Sequence, residues 1–108
     1  MAVTRAGRAR GEVHLVRLDP TLQKTRPCLV VSPDELNQYL RTVIIAPMTT
    51  AGAGYPWRVP CRIRRRSGFV ALDQIRTVDA ERLLRRLGRL TPETVTAVLQ
   101  RLQEMFAK

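Results

Sequence analysis

Polar side chains that bind anions or move protons border three apolar runs of this sequence. The runs are 28–31, 43–48 and 68–72, and the polar residues beside them are Arg26, Thr49, Thr50, Asp73, Gln74 and Arg76. If the runs are buried strands of one small barrel, their ends meet at its rim. Guanidinium groups, hydroxyls and a carboxylate gathered there can bind a phosphate and transfer protons. The sequence therefore predicts a phosphate-handling site.

Five extended segments that would position these groups are predicted from apolar runs and from alternating polarity. They cover 12–18, 28–31, 42–48, 57–63 and 68–74. In the first, the alternation changes phase at Val16, which indicates a bulge. In the fourth, Pro60 has no amide hydrogen to donate, which predicts an edge strand. Residues 64–67 are predicted to form a basic turn into the last of these strands.

Three helices are predicted from residues that can cap a helix or begin one. They cover 33–39, 79–84 and 92–106. Ser32 is the expected N-cap of the first, Asp79 of the second and Thr91 of the third. A short extended piece is expected at 89–90. Apolar residues recur at helical spacing in the last helix, which predicts that it packs on the sheet.

The predicted architecture is mainly β with helices, in the α+β class. It is a small, strongly bent antiparallel barrel with a C-terminal helix packed on it. The chain of 108 residues is 44% hydrophobic, enough for one core. We expect a flexible basic leader at residues 1–10 and a single domain at 11–108.

The charge balance predicts a polyanionic partner. Seventeen Arg and two Lys face nine acidic residues, which gives a formal charge of +10. This excess is larger than an enzyme acting on neutral metabolites needs, and it favours nucleic acid ahead of a membrane surface. A genome base bias can explain part of the preference for Arg over Lys, but it does not explain the net charge.

Compartment and metal content are predicted from what the sequence contains and lacks. No apolar stretch has the length of a transmembrane helix, and residues 1–11 have no signal-peptide hydrophobic region, so a cytoplasmic protein is expected. Cys28 and Cys61 lie far apart in apolar strands and are expected to be buried free thiols. His14 is the only histidine and has no companion ligands, so no structural zinc is expected.

A strip of arginines follows the alternating segment 57–63. Its members are Arg58, Arg62, Arg64, Arg65 and Arg66. Such a strip can follow a phosphodiester backbone, and each contact to a single strand would lower log K by about 0.7 per log unit of salt. The alternative is a solvated arginine face. Tyr55 and Trp57 beside it can stack on bases, although Trp57 fits the core better.

Six short motifs follow one another along the chain. They are Arg10-Gly11-Glu12-Val13, Leu18-Asp19-Pro20-Thr21, Thr25-Arg26-Pro27, Val30-Val31-Ser32-Pro33, Pro47-Met48-Thr49 and Leu72-Asp73-Gln74-Ile75-Arg76-Thr77-Val78-Asp79. In order and approximate spacing they resemble the MazF/PemK family of toxin endoribonucleases, over about residues 10–106. The resemblance implies an SH3-like barrel with added helices. It also implies a homodimeric enzyme without metal or other cofactor that cuts single-stranded RNA, such as mRNA, at a short sequence.

The partners and the reaction also follow from this resemblance. A cognate MazE-type antitoxin would inhibit the enzyme, and operator DNA would be bound only in complex with that antitoxin. The reaction is in-line attack of a ribose 2′-hydroxyl on the adjacent phosphorus, which leaves a cyclic phosphate and a 5′-hydroxyl. By resemblance, Arg26 and Thr49 match the residues at the scissile phosphate. Asp73 matches an aspartate that acts as a base or in a hydrogen-bonded frame. The RNA-binding residues expected with them are Thr50, Gln74, Arg76, Arg58, Arg62 and Arg64.

The sequence departs from the family pattern at two places that bear on proton transfer. Some relatives have an arginine acting as acid two residues before the aspartate, where this chain has Ala71. The loop 21–26 is shorter than usual and lacks the His or Glu that relatives place there. The base is left open between Asp73 and His14, and a lone strand histidine is usually structural.

Each assignment has a structural alternative. Arg26 can be a solvated loop arginine before a proline, and the Thr49 hydroxyl can satisfy a backbone group. Asp73 can pair with Arg76 or cap a turn. Two other functions share the same basic surface: a non-catalytic nucleic-acid-binding barrel, and a toxin-like corepressor that acts only with an antitoxin.

Overall fold

The computed structural model describes residues 8–19, 21 and 23–108. Within them the chain forms seven strands, two α-helices and two single 3₁₀ turns. In chain order these are β1 (Glu12–Asp19), β2 (Lys24–Val30), α1 (Asp34–Tyr39), β3 (Thr42–Thr49), β4 (Arg58–Ile63), β5 (Arg66–Ala71), a 3₁₀ turn (Leu72–Gln74), β6 (Arg76–Asp79), a 3₁₀ turn (Ala80–Arg82), β7 (Leu83–Arg89) and α2 (Pro92–Phe106).

β3 is the central strand of the sheet. β2 pairs with it along one side, while on the other side β6 pairs with its first half and β5 with its last residues. The 3₁₀ turn 72–74 joins β5 to β6 and therefore lies beside the middle of β3. The full antiparallel path runs β4-β5-β3-β2-β1-β7.

The sheet curls until its two outer strands meet. Arg64, in the turn between β4 and β5, donates from Nε to the Leu87 carbonyl of β7 at 2.6 Å. A Cβ placed at Gly88 of β7 would lie 2.9 Å from Cδ1 of Ile63 in β4. The result is an antiparallel half-barrel with a C-terminal helix. The predicted α+β class and the SH3-like small barrel are confirmed.

Two apolar clusters lie on opposite faces of the sheet, because alternate residues of a strand point to opposite sides. One cluster includes Leu29 of β2, Ala46 of β3 and the fully buried Val98 of α2. The other includes Cys28 and Ile45, the neighbours of Leu29 and Ala46 in the same two strands. The last helix therefore packs on the sheet as its apolar spacing predicts.

Several local features agree with the sequence. Thr91 caps α2 by accepting a hydrogen bond from the Thr94 amide at 3.3 Å, and β4, which contains Pro60, is an edge strand. β1 has register irregularities against both of its neighbours. Cys28 and Cys61 are buried free thiols. Burial raises the pKa of Cys28 to about 12 and that of Cys61 to about 11.

The predicted role of Ser32 as an N-cap is wrong. The N-cap position of α1 is Pro33, and none of the described side chains caps this helix. The buried Ser32 hydroxyl instead donates to Asn37 Oδ1 and accepts from the Ile44 amide, the latter at 3.0 Å. The Ser32 hydroxyl therefore links α1 to β3. It serves Asn37 and the Ile44 amide because buried polar groups require hydrogen-bond partners within the protein, whereas the start of α1 is exposed.

The predicted helix at 79–84 and the predicted strand at 68–74 are also wrong in extent. Asp79 caps only the 3₁₀ turn 80–82, by accepting from the Glu81 amide at 2.9 Å. Residues 83–89 then form β7, because they pair with β1. The strand ends at Ala71, before the 3₁₀ turn 72–74, and β6 follows it unpredicted. Long-range strand pairing outweighs the local capping signal in both places.

Residues 1–7, Pro20 and Leu22 lie outside the described residues. Most of the expected leader 1–10 is among them, as is the proline of the motif at 18–21. At the end of that leader, Arg10 is fixed to the domain: its amide donates to Asp34 Oδ1 at 2.7 Å, and its Nε donates to the Val31 carbonyl at 2.9 Å. Neither helix in the described part of the chain has the length and hydrophobicity to cross a membrane.

Candidate functional site

The register between β2 and β3 brings two of the predicted catalytic residues to the same end of the sheet. Cys28 pairs with Pro47 and Val30 with Ile45. Continued by two residues beyond Cys28, this register places Arg26 opposite Thr49. The 3₁₀ turn 72–74 lies on the far side of β3, one step back from this end, and the Arg26 side chain reaches it through Gln74. We call Arg26, Thr49, Asp73 and Gln74 the rim site.

Arg26 reaches across β3 toward this turn. Its Nη2 donates to the Met48 carbonyl at 2.9 Å, and its Nη1 lies 3.5 Å from Gln74 Oε1, at the limit of a hydrogen bond. A guanidinium group has five N–H donors. The described residues therefore use two of them, and a half-buried, oriented guanidinium presents the others to an incoming anion.

Thr49 ends β3 with its hydroxyl at the rim. Thr49 Oγ1 accepts a hydrogen bond from the Ala51 amide at 3.2 Å. This contact matches the structural alternative for Thr49, yet it uses only an acceptor position and leaves the hydroxyl hydrogen to be donated. Thr49 and the exposed Thr50 line a groove of about 200 Å³ that also touches Arg66. The groove leads from Thr49 to the start of β5.

Asp73 is held by Arg58, and not by Arg76 as the structural alternative had it. Arg58 Nε donates to Asp73 Oδ1 at 2.7 Å and Nη2 donates to Oδ2 at 2.9 Å. The hydrogen bonds and charge of Arg58 hold the pKa of Asp73 below its usual range, and Asp73 raises the pKa of Arg58. Asp73 is therefore an oriented carboxylate that stays ionised, which makes it a weaker base than an unpaired aspartate.

The predicted RNA-binding arginines do not all lie free on one surface. Arg58 is paired with Asp73, and Arg64 donates to the Leu87 carbonyl. Arg62 of β4 and Arg66 of β5 are exposed, and their side chains make no hydrogen bond or ion pair with any described residue. Arg76 is exposed at the start of β6, and Arg65 lies in the turn with a φ of +67°. The predicted strip is thus divided between structural and uncommitted side chains.

The surroundings of His14 favour the structural reading of this residue. Its Nε2 lies 3.2 Å from Glu12 Oε1, and the side chain is only 6% exposed. Glu12 Oε2 in turn faces Arg86 at 3.3 Å and Arg89 at 3.7 Å. His14 therefore belongs to a buried polar cluster between β1 and β7, out of reach of a bulky substrate.

Arg58 and the loop that it contacts were not recognised as a unit from the sequence. Besides Asp73, Arg58 binds the Ala51 carbonyl through Nη1 at 3.1 Å, and its Cζ lies 5.9 Å from the centre of the Tyr55 ring. The alternation of β4 assigns Arg58 to a face of the strand. Nothing in that pattern shows that the chain turns at 72–74 and brings a carboxylate beside it. The partly buried Trp57 packs against the core, as expected.

The described residues contain no group of three or more His, Cys, Asp or Glu side chains placed to hold a metal ion. The polar groups of the rim site are instead cations, hydroxyls, an amide and one paired carboxylate. The fold and these groups together define a small half-barrel protein with anion-binding types of side chain near the ends of its strands.

Comparison with known proteins identifies the family. A family model described as PemK-like, MazF-like toxin of type II toxin-antitoxin system matches residues 9–106. This chain therefore belongs to the PemK-like, MazF-like toxin family, as its motifs predict.

Similar proteins agree with this assignment. The chain is 38% identical to Endoribonuclease PemK of Escherichia coli over 90% of this chain and 80% of the relative. It is 32% identical to Endoribonuclease EndoA of Bacillus subtilis (strain 168), over 91% of this chain and 93% of the relative. A solved structure of a mycobacterial endoribonuclease in complex with its cognate antitoxin superposes with a TM-score of 0.79 at 27% identity, covering 89% of this chain and 91% of that one.

Proposed function

We propose that this chain is the toxin of a type II toxin-antitoxin system and a sequence-specific endoribonuclease that cuts single-stranded RNA, such as mRNA. The observation that carries the proposal is the meeting of Arg26, Thr49 and the turn with Asp73 at one rim. Membership of the PemK-like, MazF-like toxin family and relatives named endoribonuclease support it.

In the proposed reaction, Arg26 and Thr49 bind the scissile phosphate. As a 2′-hydroxyl attacks phosphorus, negative charge grows on the non-bridging oxygens. The N–H groups of Arg26 that the described residues leave uncommitted, and the Thr49 hydroxyl, can donate to those oxygens. Donors fixed in advance by the fold stabilise this charge without reorganising at the moment of reaction. We propose that this replaces the charge stabilisation that a metal cofactor would give.

Asp73 is the proposed acceptor for the attacking hydroxyl. It lies in the same turn as Gln74, which contacts Arg26. Each carboxylate oxygen accepts one hydrogen bond from Arg58 and can accept another. In the proposed step, Asp73 accepts the 2′-hydroxyl proton as the 2′-oxygen bonds to phosphorus, the bond from phosphorus to the 5′-oxygen breaks, and the 5′-oxygen takes a proton from water. Because the pKa of Asp73 is lowered, it is a weak base for this proton. Thr50, Gln74, Arg76, Arg62 and Arg66 are the proposed RNA contacts around this centre.

The proposed assembly is a cytoplasmic homodimer that a MazE-type antitoxin inhibits. A relative of this fold has been solved with its cognate antitoxin, and the +10 charge would attract an acidic antitoxin as well as RNA. Operator DNA would be bound only together with the antitoxin.

The decisive experiment is cleavage of a mixed-sequence RNA by the purified protein in chelator and low salt. We expect cuts at fixed sites, and we expect Arg26→Ala to abolish the cuts while RNA binding persists. RNA binding by the wild type without any cut would assign the chain to the non-catalytic nucleic-acid-binding barrels. A protein that neither binds nor cuts RNA, and that binds DNA only when the antitoxin is added, would be assigned to the corepressors.

A further inference from the structure

The Arg58 side chain makes several contacts within the protein, although it lies on an edge strand. Its guanidinium group donates to both oxygens of Asp73 and to the Ala51 carbonyl, at 2.7, 2.9 and 3.1 Å. The Tyr55 ring lies beside its Cζ at 5.9 Å, within the range of a cation–π contact. The side chain is only 15% exposed, although β4 is an edge strand. Three of its five N–H donors are therefore occupied by the protein itself.

The loop between β3 and β4 is shaped around this side chain. Gly52 has a φ of +139°, and a Cβ placed there would lie 2.8 Å from Cγ of Arg58. Only a glycine lets the loop backbone pass so close to the arginine stem. Arg58 thus connects three parts of the molecule: its own strand β4, the loop 50–57 and the turn that carries Asp73.

We propose that Arg58 is a positioning residue of the RNA-cleavage site and not one of its phosphate contacts, holding the Asp73 carboxylate and the loop 50–57 in the arrangement that cleavage needs. This inference rests on the proposed nuclease function. It replaces the sequence-based expectation that Arg58 is part of an RNA-binding strip with Arg62 and Arg64.

The geometry explains why an arginine is needed for this role. Two parallel N–H···O bonds fix both the position and the rotation of a carboxylate, which a single bond does not. They also neutralise Asp73, which would otherwise repel the phosphates of bound RNA. A lysine retains the charge but provides a compact ammonium group that cannot form the same planar pair. Charge and geometry can therefore be separated by one substitution.

Arg58→Lys is the first test, with Arg85→Lys as its matched control on β7, the strand at the other end of the sheet. The Arg85 side chain is exposed and makes no hydrogen bond or ion pair with any described residue. We expect Arg58→Lys to lower kcat on the order of 10²-fold with little change in KM, since small displacements of a reacting group cost about that much. Arg85→Lys should cleave as the wild type does, because its side chain holds neither a carboxylate nor a loop in place. Wild-type kcat in Arg58→Lys would overturn the proposal.

A double substitution tests whether Arg58 acts through Asp73. Asp73→Asn should lower kcat, and adding Arg58→Lys to it should cause little further loss, because the pair is already broken. If the fold-decreases in kcat of the two single variants multiply in the double variant, Arg58 acts independently of Asp73 and the positioning role is wrong. Circular dichroism of each variant checks that the fold is retained.

The loop is tested by two of its glycines, of which only Gly52 lies against Arg58. Both have positive φ, +139° at Gly52 and +88° at Gly54, but a Cβ at Gly54 would meet no described atom within 4 Å. Both alanine variants carry backbone strain, whereas only Gly52→Ala also pushes on Arg58. We expect the kcat of Gly52→Ala to be well below the kcat of Gly54→Ala. Equal values would contradict the loop part of the proposal.

Binding to a 2′-O-methyl RNA, which lacks the attacking hydroxyl, distinguishes this proposal from the nuclease function itself. Arg58→Gln/Asp73→Asn keeps the net charge and removes the ion pair. If Arg58 contacts no phosphate, the slope of log K against log salt stays at the wild-type value. A slope smaller by about 0.7 would identify a lost phosphate contact and overturn the proposal. The salt dependence of binding can be measured whether or not the wild type cuts RNA. The nuclease function, in contrast, is tested only by RNA cleavage.

Discussion

Arg26→Ala is expected to slow RNA cleavage far more than it destabilises the fold. The Arg26 side chain donates to the Met48 carbonyl at 2.9 Å, whereas its 3.5 Å contact with Gln74 is weak. One good hydrogen bond of this kind contributes about 0.5–1.5 kcal/mol to the free energy of unfolding. A donor aimed at a developing oxyanion contributes about 2.7–4 kcal/mol to the activation free energy, which is about 100- to 1,000-fold in rate.

These magnitudes separate a catalytic loss from a folding loss. A domain stable by about 5 kcal/mol that loses about 1 kcal/mol is still more than about 99% folded. Destabilisation alone would therefore leave the cleavage rate nearly unchanged. A large fall in rate with a small fall in stability identifies Arg26 as a group that binds the transition state.

The assay is single-turnover cleavage with excess protein in chelator, beside urea unfolding followed by circular dichroism. Arg41→Ala is the matched control, because it removes an exposed arginine immediately before β3, at the end opposite Thr49. It should cleave at the wild-type rate. The reasoning is refuted if Arg26→Ala cleaves within tenfold of the wild type, or if Arg41→Ala loses as much activity.

Three further predictions concern packing, capping and thiols. Gly68→Ala should lower both stability and cleavage, measured by urea unfolding and RNA cleavage, because its Cβ would lie 2.7 Å from the Thr49 carbonyl; unchanged cleavage would contradict the fixed position of Thr49. Thr91→Ala should lower the free energy of unfolding by about 1 kcal/mol without changing cleavage, since it removes only a helix cap. Cys28 and Cys61 should resist Ellman's reagent at pH 8 until urea unfolds the protein, because burial raises their thiol pKa values to about 12 and about 11. The thiol pKa is near 9.0 in the unfolded chain and higher in the folded protein. Ionisation therefore favours the unfolded chain, and the free energy of unfolding should fall as pH rises beyond about 9.

Features carried by local sequence were predictable. The alternation of β4, the apolar runs of β2 and β3, and the spacing of α2 each report burial of one face of an element. The rim site was predictable in part for the same reason, because Arg26 and Thr49 border the apolar runs of β2 and β3, which pair in the sheet.

Features that depend on pairing between distant segments were not predictable. Residues 83–89 have a capping signal before them, yet they join β1 as β7 because the sheet offers them unpaired backbone groups. The ion pair of Arg58 with Asp73 depends on the 3₁₀ turn 72–74, which interrupts a segment that reads as one strand. A single sequence does not contain the register that decides such contacts.

The chemical nature of the RNA ends that the purified protein produces in chelator tests the proposed attack by the 2′-hydroxyl. We expect fragments with 2′,3′-cyclic phosphate and 5′-hydroxyl ends at fixed sites, and no cutting of the same RNA carrying 2′-O-methyl groups. Fragments with 5′-phosphate and 3′-hydroxyl ends, or cutting of the 2′-O-methyl RNA, would contradict it.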